Sequence, residues 1–91
     1  EQVAALSGHR GLVLALGVWR DRLISGSDDR CIRVWRMHSW ECERTLTGHN
    51  GGVVGVAIMG GDLISASTDS FIKVWNSTST QRPFTATGIR R

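Results

Sequence analysis

A repeat with an offset of 40 positions constrains the fold of this chain more than any other sequence feature (75 − 35 = 40). Residues 25–35, SGSDDRCIRVW, align without a gap to residues 65–75, SASTDSFIKVW. The same offset pairs Gly8-His9 with Gly48-His49, and Leu23-Ile24 with Leu63-Ile64. A period of this length indicates one supersecondary unit used twice.

The pattern inside each copy predicts short strands joined by tight turns. Ile32 and Val34 alternate with Arg33, which is the period of a half-buried strand, and the second copy repeats the alternation. Asp28-Asp29 suits a turn because short Asp side chains bond nearby backbone amides. The expected strands are 2–6, 12–18, 23–27, 30–36, 42–46, 53–59, 63–67, 71–75 and a last one near 82–86. Pro83 would place that last strand at a sheet edge. The fold class is therefore all-β.

Size and composition exclude several broad classes of protein. A chain of 91 residues with 41% hydrophobic residues is typical of a small globular unit. It has no apolar run near the ~18 residues that a membrane span needs. Cys31 and Cys42 form no CxxC pair, and two sporadic thiols favour a reducing setting. We expect an intracellular protein, cytoplasmic or nuclear.

Four strands per 40 residues, with Gly-His near the start and Trp near the end, resemble the WD-repeat family of β-propellers. The resemblance implies two four-stranded antiparallel blades. In that family the first strand of each repeat is the outer strand of the preceding blade. The implied units are a stray outer strand of a preceding blade (1–7), a first repeat (8–47), a second repeat (48–87) and the start of a truncated third (88–91).

The chain departs from the family pattern at the dipeptide that names it. Trp-Asp is replaced by Trp35-Arg36 in one copy and Trp75-Asn76 in the other. The turns at residues 19–22 and 60–62 are short, which resembles repeats of F-box and RING-type ubiquitin-ligase subunits.

A serine, a histidine and an aspartate recur together, which raises the question of hydrolysis. Neither Ser25 nor Ser65 lies in a G-x-S-x-G motif, and the set occurs twice with a tryptophan each time. WD-repeat blades carry such residues as a structural hydrogen-bond relay. The resemblance implies relays of His9, Ser25, Asp29 and Trp35, and of His49, Ser65, Asp69 and Trp75. We expect no catalytic residue and no enzyme.

Metal, cofactor and nucleic-acid sites are weakly supported. His9, His38 and His49 with Cys31 and Cys42 lack the close spacing of a zinc site, and no phosphate-binding motif occurs. We therefore predict no metal and no cofactor. Arginines and the two tryptophans outside the relays, Trp19 and Trp40, could contact RNA. The arginines are interspersed with acidic residues, however, and the formal net charge is only +3, which makes RNA the less favoured partner.

Binding of proteins is the function that the resemblance implies. In the family, partners dock on the face formed by the loops before the first blade strand and by the turns that hold the relay aspartates. The equivalent positions are Arg10, Leu12, Leu14, Asp28, Asn50, Gly52, Val54 and Thr68. Ordinary core packing is the alternative role for Leu14 and Val54.

The prediction is a non-catalytic scaffold, part of a larger propeller in a multiprotein complex, with a ubiquitin-ligase substrate receptor as the alternative. A closed propeller typically has 4–8 blades, so two repeats would need further ones. These would belong to the same parent protein or to another chain, and a ring of copies is the rival arrangement.

Overall fold

The chain folds into two antiparallel sheets of four strands each, in sequence order. The computed structural model describes residues 4–76, and for residues 85–90 it describes the backbone. The strands are β1 Val13–Trp19, β2 Arg22–Ser27, β3 Ile32–Arg36, β4 Cys42–Leu46, β5 Val53–Met59, β6 Asp62–Ser67, β7 Phe71–Asn76 and β8 Thr85–Arg90. We call β1–β4 blade 1 and β5–β8 blade 2. The all-β prediction with two four-stranded blades is confirmed.

Most strand bounds agree with the sequence prediction. Residues 42–46 and 53–59 match, and the other strands before residue 77 differ by one or two residues at an end. The last strand was predicted too early, near residues 82–86, whereas β8 begins at Thr85. Its register places Ile89 opposite Ile72, as Leu46 lies opposite Ile32 in blade 1. The later start thus brings an isoleucine rather than Ala86 to that position.

Some predicted features lie outside the described residues. These are residues 1–3, residues 82–84 of the predicted last strand with Pro83, and residue 91. Residues 88–90, expected to open a third repeat, continue β8.

Residues 4–6, predicted as a stray outer strand, form no strand. An outer strand needs a neighbouring strand to pair with, and neither described sheet pairs with this segment. Leu6 nevertheless lines a cavity together with Leu16 and Trp35 on one side of blade 1. Its repeat equivalent, Leu46, is buried in the core. Residues 4–6 therefore bring an apolar side chain to this side of blade 1 without strand pairing.

The hydrophobic core lies between the two blades. It contains Trp19, Ile24, Ile32, Val34 and Leu46 from blade 1, and Val53, Leu63 and Trp75 from blade 2, with Val56 and Ile58 packed against it. Strand alternation gives each blade two faces. Blade 1 contributes one face of its sheet to this core, including Ile24, Ile32 and Val34. Blade 2 contributes the face whose equivalent in blade 1 points away from the core. Among the described residues there is no helix long and apolar enough to cross a membrane.

Candidate functional site

The four predicted relay residues of blade 1 come together in a chain of hydrogen bonds. His9 Nδ1 lies 2.9 Å from Asp29 Oδ2, and His9 Nε2 lies 2.6 Å from Ser25 Oγ. The Trp35 indole N–H donates to the same Ser25 Oγ at 2.9 Å. The relay therefore links the loop before β1, the β2–β3 turn and two strands of one sheet.

Blade 2 repeats this arrangement. His49 bonds Asp69 at 3.1 Å and Ser65 at 2.7 Å, and the Trp75 indole N–H donates to Ser65 at 2.9 Å. The histidine and tryptophan rings meet edge to face at 6.4 Å in both blades. The two copies of the repeat thus build the same site with the same geometry.

Each relay aspartate also binds the backbone of two loops. Asp29 accepts the Arg10 amide at Oδ2 and the Cys31 amide at Oδ1, both at 2.9 Å. Its own amide donates to Ser27 Oγ at 3.0 Å. Asn50, Phe71 and Ser67 play the corresponding parts around Asp69. Sequence reasoning missed the two serines, although the repeat aligns Ser27 with Ser67.

These bonds change the acidity of the aspartates. Burial alone would raise the pKa of Asp29, but hydrogen bonds from the Arg10 amide, from His9 and from the Cys31 amide outweigh it. They lower the pKa from 3.8 to about 2. The same balance lowers the pKa of Asp69. Both carboxylates are therefore charged hydrogen-bond acceptors near neutral pH.

The relay serines are poorly placed to act as nucleophiles. Ser25 and Ser65 are buried, at 4% and 0% exposure. In the neutral histidine tautomer with hydrogen on Nδ1, the serine hydroxyl donates to Nε2 while its oxygen accepts the indole N–H. An oxygen engaged in this way is shielded from a carbonyl carbon that would have to approach it. In the described part of the chain, no three His, Cys, Asp or Glu side chains gather as metal ligands.

We call the predicted partner-contact positions the loop face. It comprises Arg10, Leu12, Leu14 and Asp28 of blade 1, and Asn50, Gly52, Val54 and Thr68 of blade 2. All are exposed except Gly52, which is buried against Asp28. Leu14 and Val54 lie at irregularities in the β1–β2 and β5–β6 registers. Such irregularities re-aim side chains, and these two are 43% and 48% exposed rather than packed in the core.

A charged cluster at the opposite ends of the strands was not predicted. Arg22 forms a two-point ion pair with Glu43, and Arg36 reaches the same carboxylate at 3.3 Å. The hydrogen bond from Arg22 is the main cause that lowers the pKa of Glu43. The cluster occurs in blade 1, where Arg22 is equivalent to Asp62 of blade 2, so the repeat could not reveal it.

Trp19 is not available for stacking on bases, contrary to the sequence expectation. It is 5% exposed, because its ring forms part of the core between the blades. The guanidinium groups of Arg20 and Arg22 both lie 5.2 Å from the ring centre. Trp40 is half-buried beside Leu6 and Leu23. Of the two tryptophans outside the relays, neither presents a fully exposed ring.

The chain belongs to the WD domain, G-beta repeat family. The family model matches residues 1–36 and 40–76, one match for each copy of the repeat. Repeats of this family form blades of β-propellers and serve in general as scaffolds for protein–protein interactions. No curated protein sequence matches the chain.

Solved structures similar to this chain include two designed proteins and one further protein. The computationally designed Ika4 protein is 25% identical with a TM-score of 0.76 over 91% of this chain, and the match takes up 51% of Ika4. U3-55K is 29% identical with a TM-score of 0.79 over 93% of this chain and 26% of its own. The designed Ika8 protein, at 24% identity and a TM-score of 0.74 over 96% of this chain and 29% of its own, shares the fold. The chain therefore spans about half or less of each of these structures.

Proposed function

We propose that this chain contributes two blades to a non-catalytic, protein-binding propeller, and that the partner contacts its loop face. The observation that best supports this is the exposure of three aliphatic side chains on that face. Leu12 is 72% exposed, and Leu14 and Val54 follow at equivalent positions of the two repeats. Adjacent apolar side chains left in water are a mark of interaction surfaces. Nearby charges would orient the partner, since Arg10 and Asp28 lie exposed on the same face.

We further propose that residues 8–47 and 48–87 are the two repeat units of an intracellular protein in a multiprotein complex, with a ubiquitin-ligase substrate receptor as the alternative. RNA remains the less favoured partner because Trp19, one of the two candidate stacking residues, is buried.

The test compares partners of the polypeptide that carries these repeats with those of two variants. A Leu12→Glu/Leu14→Glu variant removes the apolar part of the loop face, whereas His38→Glu places one charge in the exposed β3–β4 turn, at the opposite end of β3 from that face. We expect nuclease-resistant partners, measured by quantitative affinity purification, to be lost with the first variant and kept with the second. An unchanged set in both variants would contradict the assignment of the loop face.

The non-catalytic part of the proposal has its own test. The buried serine oxygens already hold two hydrogen-bond partners each. We expect a fluorophosphonate probe to leave Ser25 and Ser65 unlabelled, as read by intact mass. Labelling of the folded protein that disappears in Ser25→Ala or Ser65→Ala would overturn it.

A further inference from the structure

Each end of the two-blade unit presents an apolar sheet face that no described strand covers, although Leu6 of the loop before β1 lines a cavity with Leu16 on one of these faces. Val13, Leu16 and Val18 are 51%, 64% and 59% exposed on blade 1. Their repeat equivalents in blade 2, Val53, Val56 and Ile58, pack into the core. We call this side of blade 1 the near face. On the other side of blade 2, the far face, Met59 is 65% exposed, whereas its equivalent Trp19 is buried.

The packed interface between the two blades, which we call the joint, shows which side chains can pack between two such faces. Blade 2 places Val53 directly over Gly26 of blade 1. A Cβ at Gly26 would lie 2.6 Å from Val53 Cγ1 and 3.1 Å from Val53 Cβ. Both distances are shorter than normal contacts, and rotating the valine side chain cannot move its Cβ. The joint therefore requires glycine opposite valine.

Two more glycines serve the same joint. A Cβ at Gly17 would lie 3.2 Å from Val56 Cγ2. A Cβ at Gly52 would lie 2.7 Å from Asp28 Oδ1 and 3.2 Å from the Asp28 Cα. Close approach of two backbones is a common reason for glycine in strands. The blades meet at this distance because all three positions lack a side chain.

If a second copy of the chain packed on blade 2, the interface between the copies would have other residues at all three glycine positions. Its near face would meet the far face of blade 2, where Ala66 stands in place of Gly26 and Ala57 in place of Gly17. The copy would bring Val13 to Ala66 and Leu16 to Ala57. At the third contact Leu12 of the copy takes the place of Gly52 and would meet Thr68.

The alanine at position 66 is accommodated within its own blade. Ala66 pairs with Gly55, whereas in blade 1 Gly26 pairs with Ala15. Relative to blade 1, the methyl group is on the second strand and not on the inner strand. A Cβ built on Gly55 would lie 3.9 Å from the Ala66 Cβ, which is an ordinary contact. The exchange leaves blade 2 packed internally but adds a methyl group to its far face.

We propose that the far face of blade 2 takes a non-identical propeller blade whose inner strand begins with a residue smaller than valine, and that it disfavours a second copy of this chain. A glycine, alanine or serine at that position leaves room for Ala66. The apolar far face otherwise suits the same kind of sheet surface that blade 2 presents to blade 1. The inference concerns assembly of the propeller and is independent of what the loop face binds.

Self-association of the 91-residue chain tests the proposal. A Leu12→Gly/Ala66→Gly variant restores two of the three glycine contacts to a joint between copies. We expect its association constant, from sedimentation equilibrium, to exceed that of the wild type by at least about tenfold, the effect of relieving one overpacked contact. His38→Gly, which places a glycine in the exposed turn between β3 and β4, should leave the constant unchanged.

A second variant guards against misfolding of the first. Val13→Ala removes apolar surface and would weaken any nonspecific contact, but it relieves the collision with Ala66. We expect it to associate more strongly than the wild type. A wild-type chain that forms a defined closed ring, or a folded Val13→Ala variant that associates no better than the wild type, would overturn the proposal.

Discussion

Each relay aspartate binds a histidine side chain and two backbone amides with the same carboxylate. Asp29 holds the histidine in place and also accepts the Arg10 amide of the loop before β1 and the Cys31 amide of the β2–β3 turn. A single carboxylate thereby fixes the loop before β1 against the β2–β3 turn. The negative charge of Asp29 strengthens the three hydrogen bonds that it accepts. Protonation of Asp29 should therefore lower the free energy of unfolding.

We expect the free energy of unfolding to fall in acid through these two carboxylates. The pKa of Asp29 is about 2 in the folded chain, against about 3.9 for an unfolded aspartate. Between these values the unfolded chain binds more protons, so the stabilisation is complete above pH ~4 and is lost as pH falls through ~2. Urea unfolding at several pH values measures the slope. An Asp29→Asn/Asp69→Asn variant should show a flatter slope, and an unchanged slope would contradict the role of these bonds.

Strand pairs explain why equivalent positions of the two blades differ. The Ala15–Gly26 pair of blade 1 becomes the Gly55–Ala66 pair in blade 2, with the same total volume. The difference follows from what lies next to each sheet. Gly26 meets Val53 of the neighbouring blade, whereas among the described residues only Ala66 lies within 4 Å of a Cβ built on Gly55.

The different neighbours of Gly26 and Gly55 predict different effects on stability when each glycine is replaced by alanine. Gly26→Ala should destabilise the chain by about 1–3 kcal/mol, because the added methyl group overpacks the joint. Gly55→Ala should change stability by less than about 1 kcal/mol, since the unfolded chain loses entropy and no collision follows. Denaturant midpoints of both variants provide the measurement. Equal destabilisation by the two would show that the joint is not packed as described.

How far the sequence predicts the structure depends on whether a feature occurs in both copies. The relays could be predicted because His, Ser, Asp and Trp recur at a fixed offset in both repeats. The strands followed from their alternation and turns. The Arg22–Glu43 ion pair and the buried Trp19 could not be predicted, since blade 2 has Asp62 and Met59 at the positions of Arg22 and Trp19. The joint glycines were also missed, because their role appears only when one blade packs on another.

The chain has one packed joint, between its two blades, and two outer sheet faces, the near face and the far face, that no described blade covers. Val13 and Val53 occupy the same repeat position, yet one is 51% exposed and the other fully buried. Their environments differ only in whether a blade precedes them within the chain. Burial at this repeat position therefore depends on whether a blade packs against it.

The contrast predicts different tolerance to a charge at the two positions. Val53→Asp buries a carboxylate without a partner and should cost at least about 2 kcal/mol more than Val13→Asp. Val13→Asp leaves the charge in water and should keep the chain folded. Circular dichroism during urea unfolding of both variants measures the difference. Equal losses would mean that the near face is covered in solution.

Each blade is closed by its own tryptophan–serine–histidine–aspartate relay. The most direct measurement is deuterium exchange of the indole N–H groups in one two-dimensional NMR spectrum. We expect those of Trp35 and Trp75 to exchange slowly because both donate to buried serines, and that of half-buried Trp40 to exchange quickly. Ser25→Ala should accelerate Trp35 alone and leave Trp75 protected. Exchange of Trp35 and Trp75 as fast as that of Trp40 would contradict the claim.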